Sequence, residues 1–64
     1  MEQLLETGSV SRRLDLSSEY VRVLADRGVL PIAAITVSGR RLFKAADVEA
    51  LRQRRAQRDR EELG

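Results

Sequence analysis

The sequence predicts a small, mainly helical domain with three helices and one β-hairpin between the second and the third. Three observations predict it. Apolar residues recur at helical spacing in three short stretches: Val10 and Leu14; Val21, Leu24 and Ala25; Val48 and Leu51. The middle stretch has a start signal in Ser17 and stop signals in Gly28 and Pro31. Between the second and third stretches, β-branched residues flank Ser38-Gly39, the pattern of a hairpin.

The first helix is expected over Thr7 to Leu14 (TGSVSRRL). Val10 and Leu14 lie four residues apart and share a face, with Arg12 and Arg13 pointing elsewhere. Thr7 can cap this helix, or Glu6 can occupy its dipole-favoured start. Asp15 then breaks it and Leu16 tucks inward. Ser17 caps a second helix from Ser18 to Arg27, whose inward face is Val21, Leu24 and Ala25. Gly28 offers the left-handed stop and Pro31 forbids continuation.

The segment Ile32 to Lys44 (IAAITVSGRRLFK) reads as the hairpin, with its tip near Val37–Arg40. A third helix is expected from Ala45, with Asp47 and Glu49 in its first turns, where negative charge is favoured. Beyond Leu51 only Ala56 and Leu63 are apolar. Residues 1–51 are therefore expected to be the folded domain and 52–64 a charged helical extension or tail. Arg58 would face Glu61 and Glu62 there, and no a/d stripe exists for a coiled-coil seam.

Composition excludes more than it selects. Sixty-four residues make one domain with a marginal core. Without histidine or cysteine there is no usual metal-ligand set and no disulfide, so neither a metal nor a cofactor is expected. Gly-rich phosphate loops are absent, and so is any pair of carboxylates in an apolar setting. An enzyme is not expected. No apolar run approaches a membrane span, and the N-terminus lacks a signal-peptide layout, so a cytoplasmic protein is the expectation. Between Arg12 and Lys44 there are seven basic residues against three acidic ones, and eleven of the twelve basic residues in the chain are arginine. Arginine suits bidentate contacts to phosphate and guanine, although a GC-rich genome supplies it too.

The two helices separated by Asp15-Leu16-Ser17 make a helix-turn-helix, whose second helix typically enters the major groove of DNA. Ser18, Glu19, Tyr20, Arg22 and Val23 remain once the core face is assigned. Arg22 can reach guanine or a phosphate, Glu19 can accept from cytosine, and Tyr20 can touch a backbone oxygen or a thymine methyl. The Gly39-Arg40-Arg41 tip suits backbone or minor-groove contact. Plainer readings exist for each feature. A short amphipathic helix with charges outside suits any small helical protein, a basic turn can guard an edge strand, and the Arg52–Arg60 cluster suits a solvated helix face.

The stretches LLETGSVSRRLDLSSEYVRVLADRGVLP and GRRLFKAADVEAL resemble the DNA-binding domain of the mercury-resistance-regulator (MerR) family and its small excisionase-like relatives. The resemblance covers Leu4 to Leu51. It implies a winged helix-turn-helix, with three helices and a two-stranded wing, that binds double-stranded DNA. The second helix would lie in the major groove and the wing, Ile32–Phe43, on the backbone or adjacent minor groove. Carried over by position, Ser18, Glu19, Tyr20 and Arg22 fall on groove-facing sites and Arg40 and Arg41 on the wing, Arg41 at the phosphate contact; Arg12 or Arg13 would support the backbone from the first helix. Val23 stands where many relatives carry a phosphate-binding tyrosine. Asp15 stands at the usual turn glycine and Lys44 at the usual cap of the third helix.

Full-length regulators of the family continue into a dimerisation helix and an effector-binding region, so the chain reads as an excised domain or as a small single-domain relative. A bacterial or phage-encoded, DNA-associated protein is implied. The first expectation is transcriptional regulation, with RNA polymerase as a possible protein partner and further copies of the chain on the DNA. The alternatives are an excisionase-like factor that bends DNA for a recombinase, the DNA-binding domain of a small terminase subunit, and, in another class, a protein-interaction adaptor.

Overall fold

A computed structural model describes residues 2–63, with side chains described for residues 2–58. The chain begins with a strand, β1 (Leu4–Glu6), followed without a loop by α1 (Thr7–Leu14). Glu6 is the N-cap of α1, in extended conformation and without a side-chain capping bond. The carboxylate thus sits at the start of the helix, and Thr7 is the first helical residue rather than the cap.

Asp15 ends α1 in the left-handed conformation (φ 55°). The Leu16 N–H donates back to the Ser11 carbonyl at 3.0 Å, the six-to-one bond of a Schellman ending. That turn swings half-buried Leu16 against the core. Left-handed backbone costs an L-residue about 1–2 kcal/mol, with Asp tolerated better than most. Asp15→Gly should therefore raise stability by about 0.5–1 kcal/mol, part of the relief being offset by the entropy of glycine. Urea denaturation of the two proteins measures this.

Helix α2 (Ser18–Asp26) starts as its sequence dictates: Ser17 Oγ accepts from the Tyr20 N–H at 3.1 Å. It stops one residue earlier than expected, because Arg27, still right-handed, is already the capping residue. Gly28 at φ 77° then closes a second Schellman ending, with the Gly28 N–H on Ala25 and the Val29 N–H on Leu24. The following turn delivers Leu30 into the core with no exposed surface.

The wing pairs β2 (Ala34–Ile35) with β3 (Arg41–Lys44), and its turn is closed by the Gly39 N–H on the Thr36 carbonyl at 2.9 Å. Thr36 Oγ1 also accepts from the Arg40 N–H at 2.9 Å. Gly39 at φ 88° takes the left-handed position that lets the chain return as β3. The sheet has a third strand that the sequence reading lacks: β1 pairs antiparallel with the other edge of β3, Leu5 opposite Phe43, giving the order β1-β3-β2. Strand β3 is therefore central, and the wing is rooted in the domain rather than projecting as a free hairpin.

Helix α3 (Ala45–Leu63) begins where expected, directly after Lys44, and runs on through the charged segment. The Ala45 N–H donates to the Gln3 carbonyl at 2.9 Å, tying its start to the N-terminal segment. The expected pairing of Arg58 with Glu61 and Glu62 lies outside the described side chains.

Leu5, Val10, Leu14, Val21, Leu24, Ala25, Leu30, Phe43, Val48 and Leu51 form one apolar cluster fed by every element except β2. Three helices around this cluster, with a small sheet at one edge, make a winged helix-turn-helix. No described helix is long and apolar enough to cross a membrane.

Candidate nucleic-acid interface

Burying Val21, Leu24 and Ala25 orients α2. The opposite side then presents Ser18, Glu19, Tyr20 and Arg22 to solvent, with Val23 half-buried between the two faces. All four residues expected to face the groove are thus exposed on one short helix.

The tertiary structure adds the relation between this helix and the wing. Arg22 of α2 and Gly39, Arg40 and Arg41 of the wing line one open cleft of about 500 Å³, completed by Glu6, Thr7 and Gly8 at the start of α1. Three arginines from two elements therefore border the same space. Carboxylates pair with two of them: Arg40 Nη1 lies 3.2 Å from Glu6 Oε1, and Arg41 Nη1 lies 3.0 Å from Asp26 Oδ1.

The Arg41–Asp26 contact is charge proximity without hydrogen-bond geometry: Arg41 Nη1 is shut off from solvent yet makes no hydrogen bond. The carboxylate is itself 63% exposed, so water screens the pair, and such pairs are worth about 0–1 kcal/mol. The contact ties the wing to the C-terminal end of α2.

Arg12 and Arg13 are not brought to this cleft. They line a separate one of about 400 Å³ with Gln3, Leu5 and Ser9, and Arg12 Nη2 donates to Ser9 Oγ at 3.4 Å. The two clefts share no lining residue. On α3, Arg52 grips Glu49 through Nη2 at 2.6 Å and Nε at 3.0 Å. Those hydrogen bonds hold the Glu49 carboxyl below its ordinary range. Arg55, which its charged sequence context places on a solvated face, is instead drawn inward: its guanidinium carbon lies 5.8 Å from the centroid of the Tyr20 ring. No short motif announces that contact, because 35 positions separate the two residues.

The model of the MerR HTH family regulatory protein matches residues 5–63. The chain belongs to the MerR family. A search of curated proteins finds no match, and neither does a search of solved structures. The MerR match runs from buried Leu5 in β1 to Leu63 at the end of α3, so it takes in the third strand and the charged helix as well as the helix-turn-helix. Membership of the MerR family makes this a DNA-binding regulatory domain. Asp15, which the sequence resemblance sets at a turn glycine, takes the left-handed conformation that a glycine would favour.

Proposed function

We propose that the domain binds double-stranded DNA sequence-specifically in transcriptional regulation, with α2 in the major groove and the wing on the backbone or adjacent minor groove. The observation that carries this reading is the shared cleft of Arg22, Arg40 and Arg41. A helix that reads base edges gains discrimination only when its register on the duplex is held by phosphate contacts. Here the candidate base-reading arginine and the candidate phosphate-binding arginines border one space, so a single strand passing through it meets both.

Glu6 and Asp26 suit the same reading. Glu6, itself on the cleft wall, holds Arg40 there through a weak, exposed pair that a phosphate can displace at little cost. Asp26 anchors Arg41 through a half-exposed one. A domain of this size covers about 600–1,000 Å² of protein surface on DNA. Useful affinity would therefore come from several copies on repeated half-sites.

Fluorescence anisotropy and footprinting on DNA flanking the chain's own gene, across a salt series, test the proposal. A protected repeat is expected, with log K falling by about 0.9 per phosphate contact for each unit of log salt. Binding no tighter than to random DNA would overturn sequence-specific recognition and favour a protein partner. Protection of directly repeated sites accompanied by bending would move the role from regulation to an excisionase-like one.

Asp26→Asn provides a further check. Removing this carboxylate frees Arg41 and lifts a like-charge repulsion with the duplex, so binding should tighten on all sequences by about 0.5–1 kcal/mol. Stability should change by less than about 1 kcal/mol, since the Asp26 carboxylate is itself exposed and screened by water. Anisotropy titrations and urea melts measure the two effects separately.

A further inference from the structure

Val48 and Leu51 mark the face of α3 that packs into the core. Seven residues after Val48 and four after Leu51, the same stripe reaches Arg55. Arg55 is half-buried, whereas Arg52, Gln53, Arg54, Ala56, Gln57 and Arg58 are exposed. The inward face of α3 therefore turns from apolar to cationic as it leaves the core, and it does so over the Tyr20 ring. Tyr20 lies in the first turn of α2, the end that carries most base-reading residues in helix-turn-helix proteins.

We propose that Arg55 is a DNA phosphate contact supplied by α3 and positioned by the ring of Tyr20. The inference rests on the reading of α2 as the groove helix and adds a residue and an element to it. Arg41 sits against Asp26 at the C-terminal end of α2, and Arg55 sits against Tyr20 at the N-terminal end. Six residues separate Tyr20 from Asp26, which is about 9 Å along a helix axis. The two cations thus reach α2 from different elements, one at each end of the helix that the proposed function places between the phosphate strands of the major groove.

The chemistry of the contact favours this role. A cation–π interaction draws on the charge of the guanidinium and requires no acceptor lone pair, so it orients the group without committing its N–H donors. The nearby arginine of opposite character is Arg52, whose donors are engaged by Glu49. Arg52→Ala removes the same formal charge from the same helix, which makes it the proper control.

The test uses the full chain and two fluorescein-labelled duplexes, the footprinted site and a random sequence, with circular dichroism confirming that each variant folds. Arg55→Ala should lower the salt slope by about 0.9, the loss of one phosphate, and weaken both duplexes severalfold alike. Arg52→Ala should lower it by less than half as much. Tyr20→Phe, which keeps the ring, should keep the salt slope even where loss of the hydroxyl contact lowers affinity. Tyr20→Leu should lose as much slope as Arg55→Ala, and the Tyr20→Leu/Arg55→Ala double variant should lose no more slope than either.

A wild-type slope in Arg55→Ala, or an equal loss in Arg52→Ala, would overturn the proposal. If binding depends on Arg22 and Arg41 but not on Arg55, only the role of α3 fails. If the wild-type chain binds neither duplex, the DNA-binding reading fails with it.

Discussion

Phe43→Ala is expected to leave the domain largely unfolded at ambient temperature. Phe43 has no exposed surface, and it stands on the central strand, opposite Leu5 of β1. Its ring belongs to the cluster that gathers α1, α2, α3 and β1. Truncating a buried phenylalanine costs about 3–5 kcal/mol, through lost transfer energy and the cavity left behind. Stability of small domains lies toward the low end of about 5–15 kcal/mol, so that loss removes most of it. Phe43→Leu, which keeps most of the volume, should cost under about 1.5 kcal/mol. Urea melts followed by circular dichroism separate the two variants. A cooperative Phe43→Ala melt within about 1 kcal/mol of wild type would show that the β3 ring is not the centre of the core.

The second large effect is on recognition. Arg22→Ala should leave the fold intact, because Arg22 is exposed and forms no ion pair among the described residues. It should narrow the gap between the specific site and random DNA by about 1–3 kcal/mol, the worth of a good bidentate arginine–base contact. Arg41→Ala gives the contrasting result, with both DNAs weakened alike and the salt slope reduced by about one. Competition titrations against random duplex at fixed salt measure the first effect, and a salt series measures the second. Equal weakening of both DNAs by Arg22→Ala would reassign Arg22 to the phosphates. No change from either substitution would remove the cleft from the interface.

Much of the scaffold was legible because its signals are local. Ser17, Gly28 and Ser38-Gly39 each act within a few residues, through a capping bond, a left-handed turn and a hairpin turn. The apolar spacing named seven of the ten core residues for the same reason, since helical periodicity is a property of one segment. Leu5, Leu30 and Phe43 escaped it. Leu5 lies in a three-residue strand, too short for any alternation to show. Leu30 follows the helix stop, and Phe43 sits in a strand whose partner on the missed edge is 38 residues upstream.

The candidate interface divides along the same line. That Ser18, Glu19, Tyr20 and Arg22 lie outside the core followed from the sequence, because the inward residues of one helix determine its outward ones. So did the basic character of the wing tip. Which arginines meet was decided only by the tertiary structure. β1 pairs with β3 and thereby sets the wing beside α2, which gathers Arg22, Arg40 and Arg41 and leaves Arg12 and Arg13 in another cleft. α3 packs Val48 and Leu51 into the core and so carries Arg55 to Tyr20. Elements, their order and their polar faces are set by short-range bonding and periodicity, which a linear chain displays. The meeting of charges from distant segments depends on how apolar faces dock, and that is settled only once all of them are buried together.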